Sequence, residues 1–320
     1  MSNANYNNGR AFELICIQSL HEAINDFRPA VIVSNDSYKA AERAWKTLKN
    51  EEQTQYTLSA KSTIKTIFAL EPNIIEKSDT PLRLFIQNDQ QGEDADVRDI
   101  IIERKDIRWE IGLSIKHNHM AVKHSRLAKS LDFGEKWYGV PCSQQYWNDI
   151  RPIFDFLDKE RSKGTYFRDL ASKEDRIYVP ILDAFKKELS TQINNDKEIP
   201  RRLIEYLLSR YDFYKVISID SKRLTTIQSF NMFGTLNQAS KVQKPSLETS
   251  VIKLPTNLLH IGYKPNSKTT LLMCFDNGWQ FSFRIHNAKD IVEPSLKFDI
   301  QIVGMPVDVN IKYNCFWQNE

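Results

Sequence analysis

Asp96-Val-Arg-Asp-Ile-Ile-Ile-Glu-Arg104 runs into Lys105-Asp106-Ile107 and then Arg108-Trp-Glu-Ile-Gly-Leu-Ser-Ile-Lys116. The first run holds three consecutive isoleucines, as in a strand buried on both faces. The second alternates. Trp109, Ile111, Leu113 and Ile115 point one way; Glu110, Gly112, Ser114 and Lys116 point the other. A short polar connection between the two runs predicts an antiparallel hairpin.

Upstream of the hairpin the pattern is helical. Phe12, Cys16, Ile17, Leu20, Ile24 and Phe27 recur at helix spacing, which predicts a helix over 9–27. A second helix follows Asp36-Ser37, either of which can cap it. A third is expected over 61–70, a strand over 81–87 and a polar turn over 88–95. Downstream, 144–190 reads as helical and aromatic-rich, 191–202 as a linker and 202–215 as one more helix. From 216 onward strand-like runs dominate: VISI, TTLLMCF, WQFSFRI, LKFDIQIV and VDVNIKY. The reading is an α/β part over 1–195 with a helical insertion, followed by a β-rich part over 196–320.

Composition narrows the function classes. The chain has 320 residues, 41% of them hydrophobic and 11% aromatic, enough for a sizeable core. Its 44 basic and 41 acidic side chains leave a net charge of only +3. Glycines number 10 and none forms G-x-G, which removes the glycine-based phosphate cradles. No zinc-protease motif, nucleophile elbow or CxxC occurs, and the four cysteines are scattered, as expected of free thiols in a reducing compartment. No apolar run reaches the roughly 18–20 residues of a membrane span. The polar N-terminus does not read as a signal peptide, so an intracellular, cytoplasmic protein is expected.

The charge distribution says more. Residues 111–131 contain no acid and hold Lys116, Lys123, Arg126 and Lys129 with His117, His119 and His124. Residues 221–247 are also acid-free and mix Lys and Arg with Asn and Gln, Asn231 among them. Such stretches suit a phosphate backbone with base edges nearby, and equally a solvated basic face.

The hairpin offers a set of groups for phosphodiester hydrolysis. Mg²⁺ needs one or two carboxylates, and a lysine offsets the negative charge of the transition state. Asp99 opens the buried strand, Lys116 ends the next one, and Asp96 lies one pleat back. Ser114 stands two residues before Lys116, where the pattern D-x(n)-(D/E)-x-K has an acid. The second carboxylate must therefore come from elsewhere. Glu110 is roughly 13 Å from the Ser114 position along the strand. Glu13 heads a helical face otherwise made of Ile17, Leu20 and Ile24, where an acid is costly unless paired or metal-bound. His117 and His119 share a strand face but have no third ligand nearby, so DNA contact is expected of them rather than zinc binding.

Several separated stretches resemble the HaeIII-type family of type II restriction endonucleases. They are Asn7-Asn-Gly-Arg-Ala-Phe-Glu13, Asp96-Val-Arg-Asp-Ile100, Trp109 to His119, Ala121-Val-Lys-His-Ser-Arg-Leu127 and Asp132-Phe-Gly134. Further on come Tyr211-Asp-Phe-Tyr-Lys215, Phe230-Asn231, Gly234-Thr-Leu-Asn237, Gly278-Trp279, Phe283-Arg-Ile-His-Asn-Ala288 and Glu293-Pro-Ser-Leu-Lys-Phe-Asp299. The resemblance implies a PD-(D/E)xK nuclease core, a mixed sheet flanked by helices, with a β-rich C-terminal recognition part. It implies Mg²⁺-dependent cutting of double-stranded DNA at the palindrome GGCC, leaving 5′-phosphate ends, in a bacterial cell that also holds a cognate DNA methyltransferase. A palindromic target suits a homodimer or two sequential cuts.

Carried over by position, Asp99 is the metal-binding Asp, Lys116 the catalytic Lys and Glu13 the helix carboxylate. The departures are the absence of a proline before Asp99 and the serine at 114. They leave Asp96, Glu110 and Glu13 open as the second ligand, and Asp96 can exchange roles with Asp99. Lys123, His124 and Arg126 are expected at phosphates or base edges, and Arg284, His286, Asn287 and Lys297 are candidates for base reading. A structure-specific repair nuclease, or an inactive DNA-binding protein of the same fold, also fits these residues.

Overall fold

The computed structural model describes residues 3–88, 96–117 and 123–318. In chain order its first elements are α1 (Asn3–Asn25), β1 (Ala30–Ile32), α2 (Asp36–Trp45), α3 (Asn50–Leu70), β2 (Leu82–Ile86), β3 (Ile100–Arg104) and β4 (Trp109–His117). Next come β5 (Lys123–Ala128), α4 (Phe133–Tyr138), α5 (Gln144–Ser162), α6 (Val179–Asn195) and α7 (Ile199–Leu207). The last are β6 (Phe213–Ile219), β7 (Leu224–Phe230), β8 (Leu258–Tyr263), β9 (Thr270–Phe275), β10 (Gln280–His286), β11 (Ser295–Gly304) and β12 (Lys312–Phe316).

Two compact units interleave along the chain. One comprises Met1–Met120, Ser209–Ile252 and Val307–Glu320; the other comprises Ala121–Leu208 and Lys253–Pro306. This corrects the expected single boundary at 195/196. The reason is pairing: β6 returns to lie parallel to β4, so residues after 208 rejoin the first sheet. The expected linker over 191–202 falls instead in the end of α6 and the start of α7. The expected helix over 202–215 stops at Leu207, because Phe213, Tyr214 and Lys215 already belong to β6.

The first unit is a mixed α/β layer. Its sheet has the order β1-β2-β3-β4-β6-β7-β12. The β1–β2 and β4–β6 pairs are parallel; β2–β3, β3–β4, β6–β7 and β7–β12 are antiparallel. The predicted hairpin is present, with Ile100 opposite Leu113 and Ile102 opposite Ile111. Ile100, Ile101 and Ile102 are all buried, as three adjacent isoleucines imply. Helices α1, α2 and α3 share one core with one face of the sheet, through Phe12, Ile17, Leu20, Ala41, Tyr56 and Ile67 against Leu84, Ile100, Leu113, Ile115, Val216 and Ile227. Asn35, one residue before the expected caps, caps α2 by accepting the Tyr38 N–H at 2.8 Å. The third helix starts at Asn50, well before 61, and the expected turn over 88–95 lies largely outside the described residues. In VDVNIKY only the end is strand, since Val307–Asn310 forms a 3-10 turn before β12.

The second unit holds an antiparallel sheet of order β5-β11-β10-β9-β8. Its apolar face is aromatic: Phe283 and Phe298 pack edge-on at 5.7 Å, and both meet Trp137 and Phe185 from α4 and α6. Trp137 also stacks on Tyr206 of α7 at 5.2 Å.

Glu71 is fully buried at the end of α3. Its Oε1 accepts the Tyr214 hydroxyl at 2.7 Å and the Asn237 N–H at 2.6 Å. Burial outweighs both bonds and raises its pKa from 4.5 to about 7. Between those two values the folded chain keeps a proton that the unfolded chain has released. Stability is therefore fullest below 4.5 and falls as pH rises through about 7. Glu71→Gln removes that linkage. Thermal melts should show the variant gaining on the parent chain from about pH 5 to about pH 8, and parallel pH profiles would refute the assignment.

Candidate active site

Asp99 sits where β2, β3 and β4 meet. Its carbonyl accepts the Gln87 N–H at 2.9 Å and its own N–H donates to the Leu113 carbonyl at 2.8 Å. The next partner across the hairpin is its side chain. Oδ2 accepts the Ile115 N–H at 2.6 Å, the Lys116 ammonium at 2.8 Å and the Ser114 hydroxyl at 3.4 Å. The hairpin register alone brings these groups together, because Ile100 opposite Leu113 sets Asp99 against residues 114–116. The Lys116 and Asp99 side chains keep 29% and 23% of their exposure, so a substrate can reach the pair.

Glu13 is half-buried on α1. Cys16, one turn on, is buried; burial raises its thiol well above the ordinary range, and the charges of Glu13 and then Asp99 raise it further. Both charges act on that one thiol. Among the described residues no group of three or more His, Cys, Asp or Glu is arranged to hold a metal. The partly exposed Asp99 carboxylate is of the type that suits a hard divalent ion keeping most of its water.

Asp96 and Glu110 are committed elsewhere. Asp96 is buried and takes two bonds from the Arg98 guanidinium, at 2.8 Å each. The same guanidinium donates to Glu110 at 2.8 Å and lies 4.0 Å over the Tyr211 ring. Arg98 reaches Glu110 by passing over Gly112, where a Cβ would fall 2.0 Å from its Cδ. In this clamp the Asp96 carboxylate neutralises a buried arginine.

The histidine expectations divide. His117 follows Lys116, so alternation turns it to the helical face. There its Nε2 lies 2.6 Å from Asp220 and its Nδ1 3.3 Å from the Tyr56 hydroxyl, with the ring against Phe12. These contacts seat it against α1, α3 and the turn after β6. His119 lies outside the described residues. Asn231 is buried, and its Oδ1 accepts the Leu236 N–H at 3.2 Å.

In the second unit the polar face of the sheet carries the other candidates. Register aligns Arg126, Lys297 and His286 across β5, β11 and β10. One rung away Arg284 pairs with Asp299 at 3.3 Å. Lys123 and His124 lie on β5, but their side chains are outside the described residues. Asn287 turns its amide into its own loop, onto the carbonyls of Lys289 and Ile291, instead of outward.

One residue escaped the sequence reading. Lys215 is only 7% exposed and stands opposite Ser114 across the parallel β4–β6 pair. A single cation inside the run Phe213-Tyr-Lys-Val-Ile217 is the signal that marks it.

The HaeIII restriction endonuclease family matches residues 9–306. The chain belongs to that family. It is 49% identical over 310 residues to the type II restriction enzyme HaeIII of Haemophilus aegyptius, covering 97% of both chains. Family membership makes it a site-specific deoxyribonuclease acting on double-stranded DNA, a class that works with a divalent metal. No solved structure matches the chain. Among the described residues no helix is long and apolar enough to cross a membrane.

Asp96 and Asp99 should separate on substitution. Removing one partner of a buried ion pair costs about 3–5 kcal/mol, somewhat less where Glu110 keeps a hold on Arg98. Asp96→Asn is expected to lower the urea midpoint markedly. Asp99→Asn, at a partly exposed pair, should change stability by less than about 1 kcal/mol. The reverse order in urea titrations would refute the clamp.

Proposed function

We propose that the chain is a Mg²⁺-dependent type II restriction endonuclease with a PD-(D/E)xK core, cutting double-stranded DNA at GGCC to leave 5′-phosphate ends. One observation carries the reading: the hairpin sets the Asp99 carboxylate 2.8 Å from the Lys116 ammonium, two residues beyond Ser114. The target sequence follows from the likeness to the HaeIII enzyme.

Asp99 and Glu13 are the residues that would hold the cation. When bound, a divalent ion polarises the phosphate and lowers the pKa of water. Lys116 donates to the phosphate oxygens and to the attacking water, which orients the water and offsets charge as it develops. Ser114 supplies a hydroxyl to Asp99 and leaves the second carboxylate to α1. The polar face bearing Arg126, Arg284, His286 and Lys297 contacts DNA. Arginine there matches guanine O6 and N7, while Asp299 is of the type that accepts from cytosine N4. A palindromic site matches a two-fold pair of chains, and a DNA methyltransferase of the same specificity would protect the host genome.

A plasmid of known sequence tests the reading. Discrete fragments ending at GGCC are expected with Mg²⁺ and none with EDTA. Lys116→Ala should lose at least about 100-fold in cleavage rate while still binding a GGCC duplex. Fragments mapping to another sequence would overturn the specificity, and cleavage in EDTA would overturn the metal.

A further inference from the structure

Burying an ammonium is costly unless the protein answers its charge, and Lys215 is buried in the middle of β6. Parallel pairing with Ser114 makes its side chain leave the sheet on the same face as Ser114 and Lys116. Gln228 on β7 and Lys312 on β12 continue that row. Burial lowers the Lys215 pKa to about 8, Lys116 pushes it down as well, and Asp99 opposes them. Lys215 therefore senses both members of the Asp99–Lys116 pair.

That pair poses a problem for catalysis. With Lys116 seated on Asp99 at 2.8 Å, each group occupies the other. Cleavage needs the carboxylate for a cation and the ammonium for a phosphate. Something must favour opening the pair without letting Asp99 turn away.

We propose that Lys215 is the positioning residue of the cleavage site: its buried ammonium repels Lys116 toward the DNA phosphate and holds the Asp99 carboxylate in place. The inference rests on Asp99 and Lys116 being the cleavage residues. It also gives serine at 114 a physical reason. An acid there, directly across from Lys215, would pair with it and cancel its effect on Asp99. Being buried, Lys215 acts through its neighbours and makes no contact with DNA.

The test compares full-length Lys215→Met, Lys215→Gln and Lys215→Arg with Asp99→Ala and Lys116→Ala. Three quantities are measured: the single-turnover cleavage rate of a GGCC duplex in Mg²⁺, binding of that duplex in Ca²⁺ at several salt concentrations, and the melting temperature. Lys215→Met and Lys215→Gln should lose about 100-fold in rate, as when one fixed electrostatic contact is removed. Their affinity should stay within about threefold, with an unchanged salt slope, because no phosphate contact is lost. Their melting temperature should equal or exceed the parent's, since a buried charge has gone. Lys215→Arg, which keeps the charge, should recover most of the rate.

Wild-type rates in Lys215→Met and Lys215→Gln beside inactive Lys116→Ala would overturn the role of Lys215 alone. A salt slope smaller by about one would show a direct phosphate contact and overturn the positioning role. A rate loss that tracks a fallen melting temperature across all three Lys215 variants, arginine included, would reduce Lys215 to a structural part. Full activity in Asp99→Ala and Lys116→Ala would remove the premise and the inference together.

Discussion

The parallel pairing of β4 with β6 is the constraint on which the first unit depends. A parallel pair needs a crossover connection, and here the chain between the two strands runs from 118 to 212. That length accommodates β5 and helices α4 to α7, and β8 to β11 are inserted later, before β12 closes the sheet edge. Interleaving of the units in sequence follows from one strand returning to the centre of the sheet.

The same pairing divides the work between the two faces of β4. Leu113, Ile115 and His117 face the helices, with Tyr214, Val216 and Ser218 beside them. Ser114 and Lys116 face the other way, with Lys215 beside Ser114. Alternation thus puts adjacent residues to different uses: Lys116 bonds Asp99, while His117 is seated on Asp220 and Tyr56. A strand with both faces buried at its centre can carry an apolar core and a polar site only if its register does not slip. Arg98 adds to that definition, since its guanidinium ties Asp96 before β3 to Glu110 on β4 across Gly112.

Electrostatics at the site balance a few charges that are close but differently solvated. Asp99 and Lys116 are partly exposed and can change partners. Lys215, Asp96 and Arg98 are buried and cannot do so cheaply. The fixed charges set the background in which the mobile pair works. On this view serine at 114 is not simply a missing ligand, because an acid there would face Lys215 directly.

The hairpin, and with it the meeting of Asp99 with Lys116, was legible in the sequence because both strands are adjacent in the chain and their pattern is strict. The start of α1, with Glu13 at the head of an apolar face, was legible for the same local reason. The run 202–215 reads as helix from its apolar spacing, yet Phe213 to Lys215 are strand, since pairing with β4 outweighs local preference. The clamp on Asp96 was hidden because it turns on where the Arg98 side chain lies. The seating of His117 was hidden because its partners, Asp220 and Tyr56, come from distant segments. By itself the sequence determined the family, the hairpin and the candidate carboxylates and lysine it carries. Only the tertiary structure decided which of the acids is committed elsewhere and that Lys215 stands beside Ser114. The first turns on the path of the Arg98 side chain, and the second on a register between strands separated by about a hundred residues, neither of which a local pattern encodes.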